Sequence, residues 1–172
     1  AEAAAGTLDV MIGGADEDVA RVVPIIECFA GRIIRTGPTG TGHMMKLLNN
    51  FLSMGYAAIY AEAIALGRKA GLTPQVFDSV IKGGRMDCGF YQTFMRWTLD
   101  HDPAAHRFAI RNGLKDLTYL AGYANKAVVP NLMGAAARNS FALAAAAGHG
   151  EDYVPTLADI VSVRSGVSLD DA

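Results

Sequence analysis

The spacing of hydrophobic positions changes near residue 40. Before it, apolar residues partly alternate with polar ones in 7–14 (TLDVMIGG), and 32–37 (RIIRTG) is a second short β-like run. This spacing predicts two short strands, the first ending at a glycine turn. Between them, 16–30 opens with acidic residues and continues with apolar residues at helical spacing, which predicts a helix that Pro24 would kink.

After residue 40, apolar positions recur at helical spacing throughout. The longest run, 42–71, predicts one helix of 25 or more residues that ends with Arg68, Lys69 and a capping Gly71. Thr73 and Pro74 carry the signals of a helix start. Further helices are expected over 73–84, 88–100, 108–126, 130–147 and 155–164. The pattern predicts a mostly α fold with two short strands first.

Composition narrows the class of protein. The 172 residues are 51% apolar and 19% charged, which suits a packed core. A net charge of −2 without a basic run argues against nucleic acid as a partner. The longest apolar stretch, 51–66, is interrupted by polar residues and a glycine, which favours a buried helix over a membrane span. Cys28 and Cys88 are not spaced as the cysteines of a metal site or of a CxxC redox motif are. They are interpreted as core thiols of a cytoplasmic protein.

The stretch 37–50 (GPTGTGHMMKLLNN) combines a glycine-rich turn with polar residues in an apolar helix. It matches neither a P-loop nor the GxGxxG dinucleotide fingerprint, because His43 and Met45 occupy the required lysine and third-glycine positions. A glycine turn that opens a helix nevertheless presents backbone N–H groups to an anion. We therefore expect Gly40 and Gly42 to bind an anionic group of the substrate, such as a carboxylate or a phosphate.

Lys46 is the candidate for proton transfer. At about 100° per residue, Lys46, Asn50 and Ser53 share one stripe of the helix, and Asn49 is offset to one side. The other positions are apolar, so the helix is expected to be covered by protein on most sides, an environment that disfavours a lysine cation. The alternative is that Lys46 reaches solvent and the asparagines cap local backbone.

Four stretches together resemble the β-hydroxyacid dehydrogenase family, which includes 3-hydroxyisobutyrate dehydrogenase. They are the strand segment 6–14, the glycine–lysine–asparagine motif 37–50, the Lys-Asp-Leu segment 108–120 and the C-terminal turn 146–157. Their order and spacing agree with the family over nearly the whole chain. The resemblance implies hydride transfer between NAD or NADP and a small β-hydroxyacid or its semialdehyde.

The resemblance also implies roles for particular residues. Lys46 matches the catalytic lysine, and Asn50, with Asn49 as the second candidate, matches the asparagine that holds the substrate. Lys115 matches a lysine that reaches the cofactor near the nicotinamide, and Asp116 is assigned to the same cofactor region.

Two departures qualify the resemblance. His43 stands where related proteins often carry a side-chain amide, and the GxGxxG motif does not occur in these 172 residues. The resemblance implies that 1–39 form the tail of an NAD(P)-binding Rossmann domain and 40–172 an all-helical C-terminal substrate and dimerisation domain. The expected assembly is a homodimer or homotetramer. The alternative is a non-catalytic helical dimerisation module, or an inactive fragment.

The histidines do not predict a metal site. His101 and His106 are five residues apart with a proline between them, a poor geometry for a shared metal ion. His149, in the sequence GHGED, is interpreted as a turn residue.

Overall fold

The structure is a computed structural model that describes residues 2–169 of the chain. The chain divides between Asn49 and Asn50 into two compact units. Each unit is described on its own below.

The first unit contains a strand–helix–strand segment. Strand β1 spans Leu8–Gly13, helix α1 spans Asp16–Ile26 and strand β2 spans Ala30–Gly37, after which helix α2 begins. The three acidic residues expected at the start of α1 occupy its first turn, and Pro24 lies near its end. The expectation of a helix between two short strands is therefore confirmed.

The two strands pair in parallel, from Leu8 opposite Ala30 to Gly13 opposite Gly37. An ion pair between Arg32 and Asp9, at 2.6 Å, joins the two strands at their exposed surface. Parallel strands linked through a helix form a βαβ unit, which is the building block of parallel sheets.

Helix α2, Thr41–Lys69, has 29 residues and contains Lys46, as expected from the long apolar run. The helices that follow are α3 (Pro74–Ile81), α4 (Gly89–Asp100), α5 (Ile110–Ala127), α6 (Leu132–Ala144) and α7 (Leu157–Arg164). Each begins within two residues of the start that its hydrophobic spacing predicts. The mostly α fold with a small two-stranded parallel sheet is confirmed for the described residues.

The core of the second unit forms around the middle of α2. Met54, Ala57, Ala61 and Ile64 recur at intervals of three or four residues and are almost completely buried. They belong to one cluster with large side chains of α4, α5 and α6, namely Tyr91, Phe94, Leu117 and Phe141. A Cβ atom at Gly113 of α5 would lie 2.8 Å from the sulfur of Met54, so glycine allows α5 to approach α2 closely.

The opposite face of α2 differs from the expectation. Met45, Leu52, Tyr56, Ile59 and Leu66 are exposed, Leu66 by 70%. The interpretation of α2 as a helix covered on most sides is therefore wrong for this chain, because only one stripe of the helix meets the core. Among residues 2–169, none of the helices combines the length and the apolar character that a membrane span requires.

The end of α6 also differs from the sequence expectation. The helix was expected to continue to residue 147, but its regular hydrogen bonding ends at Ala144 and a wider turn covers Ala145–His149. Gly148 adopts a φ of 96° inside this turn. Such a φ disfavours side chains with a Cβ atom, so the helical backbone is interrupted at Gly148, directly after the run of alanines.

Candidate functional site

The glycine turn before α2 has a defined local geometry. Gly37 and Gly40 adopt φ angles of 117° and 92°, which residues with a side chain rarely adopt. Thr41 begins the helix, and its hydroxyl donates to the carbonyl of Pro38 at 2.7 Å. A Cβ atom at Gly42 would lie 2.6 Å from the carbonyl oxygen of Met11. Gly42 therefore lets the start of α2 approach the end of β1.

Lys46 lies in the second turn of α2 and is exposed. The expected burial of Lys46 is wrong, because its neighbours Met45, Leu48 and Asn49 are exposed as well. Asn50 follows one helical turn later and is only 7% exposed. Asn49 is offset by about 100° from Asn50 around the helix.

A side-chain hydrogen bond joins α2 to α5 within the second unit. The side-chain nitrogen of Asn50 donates to Oδ2 of Asp116 at 2.6 Å, although the two residues are 66 positions apart. The ammonium of Lys115 lies 3.3 Å from the other carboxylate oxygen of Asp116. Three residues that the resemblance singles out, Asn50, Lys115 and Asp116, are therefore adjacent in the folded second unit.

Lys115 and Asp116 differ in their exposure. The side chain of Lys115 is 53% exposed and that of Asp116 15% exposed. The ammonium of Lys115 also lies 6.0 Å from the ring centre of Tyr119. An exposed ammonium beside an aromatic ring fits an anionic cofactor, whereas the sheltered Asp116 is engaged with Asn50.

A second polar cluster, which the sequence analysis missed, surrounds the start of α4. The thiol of Cys88 accepts a hydrogen bond from the backbone N–H of Tyr91 at 3.4 Å and lies 3.9 Å from the hydroxyl of Tyr60. Burial raises the pKa of both tyrosines. The hydroxyl of Tyr91 donates to Asp78 at 3.1 Å. Cysteine is uncommon at a helix N-cap, so the residue type gave no signal of this role.

Both cysteines are exposed, so their interpretation as core thiols is wrong. Cys88 is on the surface because it caps α4, and Cys28 because it follows the end of α1, where its thiol donates to the carbonyl of Pro24.

His149 and His106, both in the second unit, make contacts with Asp152 and Phe90. His149 pairs with Asp152 at 2.7 Å in the turn after α6, as a turn residue would. His106, in the segment between α4 and α5, packs edge-on against Phe90, and burial lowers its pKa. Within residues 2–169, no three His, Cys, Asp or Glu side chains are placed to share a metal ion.

Comparison with known proteins gives the family. The profile of a family described as "NAD-binding of NADP-dependent 3-hydroxyisobutyrate dehydrogenase" matches residues 40–158. The chain therefore belongs to this family, and the resemblance to β-hydroxyacid dehydrogenases is confirmed. The description also confirms the expected cofactor class, NAD or NADP.

Individual relatives agree with this result. The chain is 32% identical over 168 residues to 3-sulfolactaldehyde reductase of Escherichia coli, a match that covers 98% of this chain and 56% of the relative. It is 36% identical over 152 residues to 3-hydroxyisobutyrate dehydrogenase of Pseudomonas aeruginosa, covering 84% of this chain and 51% of the relative. The chain thus spans about half the length of the curated relatives it matches.

A solved structure shows the same fold. The crystal structure of 3-hydroxyisobutyrate dehydrogenase from Salmonella typhimurium matches with a TM-score of 0.82 and 28% sequence identity. That match covers 92% of this chain and 56% of the crystallised chain.

Proposed function

We propose that the protein is an oxidoreductase that transfers a hydride between NAD or NADP and a small β-hydroxyacid or its semialdehyde. The observation that carries the proposal is the group formed by Asn50, Asp116 and Lys115, with Lys46 one helical turn before Asn50. Family membership supports the reaction class. Sulfolactaldehyde and hydroxyisobutyrate, which the names of two relatives contain, support a small acid that bears an aldehyde or hydroxyl group.

The proposed roles follow from the chemistry of each side chain. The nicotinamide of the bound cofactor supplies or takes the hydride. In reduction, the ammonium of Lys46 gives a proton to the carbonyl oxygen, and in oxidation its amine takes the hydroxyl proton. Asn50 holds the substrate oxygen by a hydrogen bond, with Asn49 as the second candidate.

Charged and dipolar groups are proposed to bind the substrate carboxylate and the cofactor. The N–H groups at the glycine turn, near Gly40 and Gly42, receive the carboxylate, because the start of a helix favours an anion. Lys115 gives one charge-assisted contact to the cofactor. Asp116 acts in the same region through its contacts with Lys115 and Asn50.

We further propose that residues 1–39 are the tail of a Rossmann-type nucleotide domain and 40–172 a helical C-terminal substrate and dimerisation domain. The parallel βαβ arrangement supports the first part, because parallel strands typically belong to larger sheets covered on both faces. The compact units divide ten residues later, inside α2.

A second candidate function is a non-catalytic dimerisation module. It is favoured by the exposed apolar face of α2, which with α6 lines a groove of about 220 Å³. In the enzyme proposal the same face joins two copies into a homodimer, or a homotetramer with a further contact. The two candidates therefore differ in chemistry rather than in assembly.

The test is a rate assay of the purified whole protein with NAD and NADP against a panel of small β-hydroxyacids and their semialdehydes. We expect at least one pair to turn over, followed as absorbance of the reduced nicotinamide. A stable oligomer that turns over none of the pairs would favour the dimerisation module.

A further inference from the structure

A chain of hydrogen bonds holds the glycine turn that precedes helix α2. The hydroxyl groups of Thr36, in strand β2, and Thr41, at the start of α2, lie 2.9 Å apart. The Thr41 hydroxyl also lies 2.7 Å from the carbonyl oxygen of Pro38. A carbonyl oxygen only accepts and a hydroxyl carries one proton, so Thr41 donates to Pro38. The proton between the two threonines therefore belongs to Thr36.

The carbonyl of Pro38 receives a second hydrogen bond, from the backbone N–H of Thr41 at 3.1 Å. Both lone pairs of this oxygen are therefore engaged at the start of α2. Hydrogen bonds in a chain polarise one another, so donation by Thr36 strengthens the bond from Thr41 to Pro38. The chain of hydrogen bonds thus fixes the carbonyl of Pro38 toward Thr41.

The same turn is anchored to strand β1. A Cβ atom at Gly13, the last residue of β1, would overlap with the Thr41 hydroxyl and the Pro38 carbonyl. The N–H of Gly14 donates to the carbonyl of Gly37 at 2.9 Å. The turn therefore lies at the carboxyl ends of two parallel strands, β1 and β2. In parallel α/β sheets, ligands bind at this edge.

We infer that Thr36 is a positioning residue for the substrate. Acting through Thr41, it keeps the carbonyl of Pro38 engaged within the turn, where two donors offset its partial negative charge. Without the Thr36 hydroxyl this carbonyl is held less firmly, and its negative end then opposes a carboxylate bound at the turn. The inference rests on the proposed function, in which N–H groups near Gly40 and Gly42 receive the substrate carboxylate.

Two substitutions in the whole protein isolate the hydroxyl of Thr36. Thr36→Val removes the hydroxyl but keeps a β-branched side chain, which suits strand β2. Thr36→Ser keeps a hydroxyl at the same position. Thr93→Val is the matched control, because Thr93 also donates a hydrogen bond to a backbone carbonyl, that of Phe90, at 2.9 Å. Thr93 lies in α4, in the second unit.

Amide hydrogen exchange, measured by mass spectrometry, reports on the turn without any reaction. In Thr36→Val we expect the segment 37–44 to exchange about twofold to tenfold faster than in the wild type, as for the loss of one neutral hydrogen bond. Thr36→Ser and Thr93→Val should exchange like the wild type in this segment. An unchanged rate in Thr36→Val would overturn the inference, whatever the activity.

Steady-state kinetics then separates positioning from stability. Thr36→Val should raise the KM of the hydroxyacid about twofold to tenfold and leave kcat and the KM of the nucleotide unchanged, because only carboxylate binding is weakened. Thr36→Ser and Thr93→Val should keep the wild-type KM. The inference is overturned if the KM of the hydroxyacid stays normal in Thr36→Val, or if Thr36→Ser behaves like Thr36→Val.

If no hydroxyacid turns over, the proposed function fails, and acetate replaces the substrate as the probe. Acetate should slow the amide exchange of 37–44 in the wild type, and should do so only at higher concentration in Thr36→Val. Equal acetate midpoints in the two proteins, or no effect of acetate on either, would overturn the role of Thr36 in anion binding.

Discussion

At the residue scale, the central question is the role of Lys46. It stands one helical turn before Asn50, yet it is exposed. Exposure agrees with a solvent-facing lysine as well as with an amine that meets its substrate when the substrate binds. A substitution that removes the amine separates these two roles.

We expect Lys46→Ala in the whole protein to lower kcat about a hundredfold to ten-thousandfold, because a general acid–base group contributes that much. Lys46→Arg should not restore activity, since guanidinium keeps its proton. The measurement is the pH–rate profile of wild type and variants, with Lys126→Ala as the control for removing a lysine from another helix. Near-normal turnover of Lys46→Ala would identify Lys46 as a solvated surface residue.

His106 gives a prediction about stability and pH. Burial lowers its pKa from the ordinary value of 6.5, so below that pH the unfolded chain takes up a proton more readily than the folded chain does. The contribution of His106 to stability is present above pH 6.5 and is lost as the pH falls through the lowered folded-state pKa.

His106→Phe should therefore flatten the dependence of the free energy of unfolding on pH below 6.5. Chemical denaturation at several pH values measures this slope. His43→Gln removes an exposed imidazole and is the control. An unchanged slope in His106→Phe would contradict the prediction.

The contacts and roles of individual residues were only partly predictable from the sequence. The sequence singled out Asn50 and the Lys115–Asp116 pair, which the second unit brings together, because polar and charged residues are uncommon in apolar helices. The sequence did not predict the contact of Asp116 with Asn50, which depends on how α5 packs on α2. It also failed at Cys88, where a general preference for buried cysteines conflicts with its place as a helix cap.

At the element scale, the start of helix α2 depends on a close approach to strand β1. Gly42→Ala should lower the free energy of unfolding by about 1–3 kcal/mol, because the added Cβ would press on the carbonyl of Met11. Gly55→Ala is the control in the same helix. No atom lies within 4 Å of its added Cβ, so it should stabilise by about 0.5–1 kcal/mol. Equal effects in denaturation experiments would argue against the close approach of α2 and β1.

The exposed face of α2 leads to a prediction about assembly. Leu52→Glu with Ile59→Glu should convert the proposed homo-oligomer into monomers, because both side chains are 51% exposed and line or flank the apolar groove with α6. Light scattering after size exclusion measures the mass. Val80→Glu, which also removes an exposed apolar side chain, is the control and should leave the mass unchanged.

Elements were the most predictable level, since the strand and helix periods differ and a capping residue marks the start of α3. Thr73 accepts from the N–H of Val76, as its place before Pro74 predicts. The change from α-helical to π-helical hydrogen bonding after Ala144 was not predictable, because the alanines that follow favour a continuous α-helix. The exposed face of α2 was missed because apolar periodicity does not show whether a second surface of this or another chain covers it.

At the scale of the whole molecule, the 172-residue chain should bind NADH and NADPH weakly. It contains no GxGxxG turn, and Lys115 offers only one charge-assisted contact to the cofactor, worth about 1.5–3 kcal/mol. Calorimetric titration measures the affinity, with Lys115→Ala as the comparison. Sub-micromolar binding would show that the helical residues supply more of the nucleotide site than proposed.

The contact between Asn50 and Asp116 also has a kinetic consequence. Its two residues are 66 positions apart, so the chain between them forms a long loop when the contact closes. Closing a loop of this length lowers the conformational entropy of the chain before the contact can stabilise it. Helices α3 and α4 lie within the loop, and each can form from local contacts much sooner. The contact between Asn50 and Asp116 is therefore completed late during refolding, and recovery of substrate binding should lag behind recovery of helical circular dichroism.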